Sequence, residues 1–138
     1  MATEESFLSG RVDAASLPMA VGDVLVIAIL LTIGTIFHTS VGFVTSNLGY
    51  LAEVLLPFVI GWVVAAPLLG AYSVGATETA KAAVPLALRS WILADVIGMA
   101  IRATPWVHGG VELTFVVVTL AVGFVGLGLW RTIYFKLF

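Results

Sequence analysis

The apolar residues fall in four long blocks separated by short polar stretches. Within a block they show neither the two-residue alternation of a half-buried strand nor the single stripe of a water-facing helix. A helix that is apolar all round has to be surrounded by apolar matter, and in a short chain that means lipid. The blocks predict transmembrane helices over residues 18–38, 48–71, 84–103 and 110–134. Each is close to the about 20 residues that cross about 30 Å of hydrocarbon. Pro18 suits the first turn of the first helix, where its missing N–H costs nothing. Pro57 and Pro67 fall inside the second span, where neighbouring helices can satisfy the freed carbonyls; a kink near Pro57 is expected. Pro105 stops the third span, and residues 72–83 form the most polar internal loop.

Composition removes the soluble alternative. Of 138 residues, 61% are hydrophobic and 10% charged, with mean hydropathy +1.15. Soluble domains carry about 25% charged residues, so this chain cannot clothe itself in water. The expected fold is all-α: a polytopic bundle of four transmembrane helices over residues 18–138, behind a polar tail, 1–17. The tail opens on Glu4 and Glu5, acidic where a secretory signal is basic. A net charge of −2 points to no nucleic acid, and the lack of cysteine excludes disulfides and thiolate chemistry. Membrane lipids are the expected partners, and the expected location is the cell membrane.

Lysine and arginine placement sets the expected orientation. Arg11, Lys81, Arg89, Arg131 and Lys136 share one side of a four-span topology, against Arg102 alone on the other. Both termini are therefore expected on the cytoplasmic side. Tyr50 and Trp106 then mark the outer interface, and Tyr72, Trp130 and Tyr134 the inner one.

Ionisable residues inside a bilayer are costly, face inward and need company. Counting about 1.5 Å per residue places Asp23 and Arg89 at similar height near the inner boundary. They read as a structural ion pair, as side chains snorkelling to the headgroups, or as an inner gate. Asp95 falls near mid-membrane, where Thr32, Thr35 and Thr119 stand at reachable heights. It reads either as a protonated carboxyl joining helices or as a proton or cation site. Trp62 and Trp91 lie deep and need acceptors for their indole N–H groups, Asp95 being a candidate for Trp91. Together the two indoles could line a hydrophobic groove.

His38, Glu53, Arg102, His108 and Glu112 gather at the outer ends of the spans and in the last loop. A salt-bridge network and a vestibule for a small polar or anionic ligand are both compatible with that set. No helix carries paired histidines, so no metal or haem is expected. No phosphate-cradling loop, serine beside a base or paired carboxylates occurs; no catalytic residue, enzymatic activity or cofactor is expected. Small residues recur four apart, as in Gly61 with Ala65 and Ala94 with Gly98, which lets helices approach closely. Gly123, Gly126 and Gly128 could serve internal packing or a homo-oligomer face. Two functional classes follow. One is a small transporter or channel-like protein for a solute, proton or ion. The other is a non-catalytic accessory subunit or a binder of lipid, quinone or another hydrophobic ligand.

Five features carry a family resemblance: Asp23; Gly34-x-x-x-His38; Pro57-Phe58 with Gly61-Trp62; Gly98-x-x-x-Arg102; and Trp130-Arg131. On these the chain resembles, over roughly residues 20 to 135, an uncharacterised family of short prokaryotic four-span membrane proteins, a domain of unknown function. The resemblance implies a four-helix architecture and no particular activity. It also draws attention to His38 and Arg102 as a pair. Where family members often carry basic residues just before the histidine, Thr35 and Phe37 stand here.

Overall fold

The computed structural model describes residues 12–107 and 109–138. After a single 3-10 turn at Ala14–Ser16 come α1 (Leu17–His38), a short α2 (Val41–Ser46), α3 (Leu48–Leu68), α4 (Ala80–Arg102) and α5 (Leu113–Leu137). The four long helices are long and apolar enough to cross a membrane. They form an antiparallel bundle. The end where α1 begins, α3 turns into α4 and α5 finishes is called proximal below, and the opposite end distal.

The helix boundaries follow local chemistry that a count of apolar residues cannot see. α3 stops at Leu68, three residues short of the expected end, because Gly70 adopts φ +79°. The Gly70 N–H then donates to the Pro67 carbonyl and the Ala71 N–H to the Ala66 carbonyl, closing the last turn. α4 begins four residues earlier than expected, since the Thr79 hydroxyl accepts from the Ala82 N–H and caps it. Pro85 is accommodated near that exposed start. α5 starts only at Leu113, because Gly109 and Gly110 both have positive φ, and it runs on to Leu137. The distal connection 39–47, expected as a loop, contains α2. Ser40 caps this single short helix by accepting from the Phe43 N–H, and six residues are too few to show a helical period.

Packing is uneven. α3 and α4 share the most extensive interface, α5 packs next on α4, and α1 makes the smallest interfaces, with α3 and α5. Gly61 explains the close α3–α4 approach: a Cβ there would collide with the Ala94 carbonyl. Phe58 lies over Gly98 and Trp91 over Gly123 in the same manner, so the glycines are sockets for aromatic rings. The core they build contains Ile27, Phe58, Trp62, Ala94 and Leu127. On α1 the exposed side is a strict four-residue series, Val21, Leu25, Ile29, Ile33 and Phe37. Such a stripe has no role in water and suits contact with acyl chains.

Candidate functional site

At the proximal end a polar network is sealed inside the bundle. The Arg131 guanidinium grips Asp23 with two hydrogen bonds, Nε to Oδ1 at 3.2 Å and Nη2 to Oδ2 at 2.7 Å, and both side chains are 0% exposed. Its Nη1 donates to the Ala83 carbonyl at 2.8 Å. The Tyr72 hydroxyl donates to Asp23 Oδ2 at 2.6 Å and accepts from the Trp62 indole at 2.7 Å. The Arg131 guanidinium also stands 5.5 Å from the centre of the Tyr72 ring. The network around this one carboxylate thus ties α1, α3, α4, α5 and the α3–α4 loop together. Burial holds the Tyr72 phenol well above the ordinary range, and the adjacent Asp23 carboxylate raises it further, so the hydroxyl stays a donor. Next to it the Asp13 N–H donates to the Tyr72 carbonyl at 2.7 Å, pinning the segment before α1.

This differs from the sequence expectation in its cation. Arg89 is exposed and takes no part; Arg131, two turns before the end of α5, is the partner of Asp23. Arg131 looked like one more interfacial charge beside Trp130. A signal was there: Asp23 lies five residues into the first expected span and Arg131 three residues before the end of the last, on the same side of the membrane and at similar depth. Tyr72, expected at the interface, is buried in the same network.

The distal half is built differently. There a cavity of about 450 Å³ runs between α1, α4 and α5, with Tyr50 and Val54 of α3 also on its wall, from Ile27, Trp91 and Gly123 at mid-bundle to His38, Arg102 and Glu112 at the end. It exists because α1 packs loosely and because Gly34 presents no side chain: a Cβ there would meet nothing within 4 Å. Arg102 is 9% exposed. Its Nε donates to the Gly110 carbonyl at 3.0 Å, and its guanidinium lies 4.4 Å from the centre of the Phe115 ring. Gly109 must be glycine twice over, with φ +109° and a Cβ position that would collide with the guanidinium. The 109–110 turn therefore wraps Arg102 and fixes it at the cavity's end.

The family match covers residues 20–134, from the first turn of α1 to the last turn of α5, and so takes in both sites. The chain belongs to the family described as Protein of unknown function (DUF3054). No curated protein and no solved structure matches it significantly. The resemblance and the match thus agree on the family, and the residues that carried the resemblance divide between the two ends. Asp23, Trp62 and Arg131 build the proximal network, while Gly34, His38 and Arg102 line the distal cavity.

The remaining candidates are dispersed. Asp95 is 1% exposed, and its Oδ1 accepts from the Thr119 hydroxyl at 2.7 Å. Thr32 and Thr35 do not reach it, since each donates to a carbonyl of its own helix, Ala28 and Leu31. The Trp91 indole donates to the Thr119 carbonyl at 2.9 Å rather than to Asp95. Thr119 is consequently a joint between Asp95 on one side and the cavity wall on the other. Trp62 and Trp91 do not share a groove: Trp91 walls the distal cavity, and Trp62 belongs to the proximal network. Glu53 is half-buried on α3 and is not part of the cavity wall, and His108 lies outside the described residues. Among the described residues no group of three or more His, Cys, Asp or Glu could hold a metal ion.

Proposed function

We propose that this protein is a multi-pass protein of the cell membrane that binds a small hydrophobic or amphipathic ligand in its distal cavity, without catalysis. The observation that carries this reading is the cavity itself. At about 450 Å³ it falls within the about 300–1,000 Å³ of small-molecule sites, and mostly apolar walls with a few polar groups, its charged ones gathered at one end, are what such sites use. The excess of lysine and arginine at the proximal end supports a cytoplasmic location for that end, which would put the cavity at the level of the outer leaflet.

The test uses one substitution. Gly34→Leu fills the cavity from a position where added atoms meet open space, so the fold survives and the site does not. Native mass spectrometry of protein extracted from membranes should show a retained small molecule in the wild type and none in Gly34→Leu. Equal retention by both proteins overturns the reading.

Transport is the second reading, favoured by the link from Asp95 through Thr119 to the cavity wall. Against it stands the proximal half, where the Asp23–Arg131–Tyr72–Trp62 network fills the space a path would need. Proteoliposome flux under pH or ion gradients, abolished by Asp95→Asn, would support transport. No flux in the wild type removes it.

A further inference from the structure

Resting on the binding function proposed above, we infer that the ligand of the distal cavity is a single-chain amphiphile with a carboxylate head, its chain along α1 and its head on Arg102. Three features of the cavity select this class.

The first is length. Ile27 and His38 bound the cavity along α1, eleven residues apart. At about 1.5 Å per residue that is roughly 16 Å, against about 15 Å for one leaflet of a 30 Å hydrocarbon core. The space therefore reaches from mid-membrane to the interface, the span of one acyl chain and no more. The second is polarity along that length. Ile27, Leu30, Leu31, Val122 and Gly123 supply the deep walls, while the charged residues gather at the distal end. An apolar tail with a polar head matches the gradient; a small polar solute or a wholly apolar molecule leaves one half mismatched.

The third is the sign and number of charges. Arg102 is the buried charge of the wall, and its planar guanidinium is suited to a carboxylate or phosphate fork. Glu112, at the mouth and exposed, adds negative charge, and so does any excess on the ligand. The buried Arg102 can match one negative charge and the Glu112 carboxylate opposes a second, which favours a monoanion over a phosphate dianion. Phe115 stacks on the guanidinium and the Gly109–Gly110 turn encloses it, so the cation is fixed before a ligand arrives. Little ordering then remains to offset binding.

Trp91 on the deep wall supplies the readout. A long-chain fatty acid brominated near its methyl end should quench the Trp91 contribution to fluorescence saturably in nanodiscs holding the whole chain; Trp91→Phe identifies that contribution. The alcohol and the ammonium of the same chain are compared with the acid. The acid should bind at least about tenfold more tightly than the alcohol, the size of one charge-assisted hydrogen bond, and the ammonium most weakly. Arg102→Gln should bring the acid to the alcohol's affinity, and Gly34→Leu should abolish all three. Should Arg102→Gln not fold, the head-group series on the wild type still decides. If acid and alcohol bind equally and Gly34→Leu abolishes both, the carboxylate assignment falls while the binding function stands. If no probe quenches saturably, or Gly34→Leu binds as the wild type does, both fall together.

Discussion

Asp23 and Arg131 show what a buried charge demands of its surroundings. Each is unexposed, and the carboxylate oxygens and all three guanidinium nitrogens are engaged, by each other, Tyr72 and the Ala83 carbonyl. Removing either partner leaves the other charged and alone, which typically costs about 3–5 kcal/mol. Asp23→Asn and Arg131→Gln should each lower the thermal midpoint in detergent steeply. Arg89→Gln, at an exposed site, should stay within about 0.5 kcal/mol of wild type. Equal losses for Arg89 and Arg131 would contradict the pairing. The same network makes a pH prediction through Tyr72, whose phenol burial and Asp23 hold above its ordinary value. A raised phenol binds its proton more tightly in the folded protein. Its stabilising contribution is therefore complete below about pH 10, the ordinary phenol value, and is lost as pH climbs beyond it. Ultraviolet titration should find one of the three tyrosines resistant to ionisation until the protein unfolds, and that resistance should vanish in Tyr72→Phe.

Between helices, glycines decide what touches. Gly61 and Gly34 both lie inside apolar spans, yet they predict opposite outcomes. A Cβ at Gly61 collides with backbone of α4, which cannot swing aside, so Gly61→Ala should cost about 1–3 kcal/mol by forcing α3 and α4 apart. Gly34→Ala meets open space and should gain up to about 1 kcal/mol from helix propensity. Unfolding of the two variants side by side checks both signs; a stable Gly61→Ala would mean the α3–α4 interface is looser than described. This contrast also marks how far reading the residues alone could go. Four spans, their order and the inward turn of Asp23 and Asp95 were legible, because lipid leaves an apolar helix few options. Which cation meets Asp23 was not, since similar depth allows Arg89 or Arg131 and only the rotation of each helix about its axis separates them. The cavity was hidden for a related reason. His38, Arg102 and Glu112 were legible as a distal group, but a void depends on α1 standing off from α4, which no residue type announces.

For the whole molecule, burial changes the weight of the charges that orient it. Arg131 and Arg102 are both enclosed, so neither is free to report on a membrane surface. What remains among the described residues is Lys81 and Arg89, both exposed, with Lys136 near the end of α5, all on the proximal side. The bias toward a cytoplasmic proximal end is thereby sharpened, not weakened. Because the chain has no cysteine, introduced thiols map it without background. Val74, 70% exposed in the proximal loop, and Trp106, 82% exposed in the distal one, are the positions to use. In intact cells a membrane-impermeant maleimide should label Trp106→Cys and leave Val74→Cys untouched until the membrane is opened. The reverse pattern would turn the molecule over. It would leave the bundle, the proximal network and the Arg102 cavity as described, but the cavity would then face the cytoplasmic leaflet, and its ligand would have to be sought among the amphiphiles of that side.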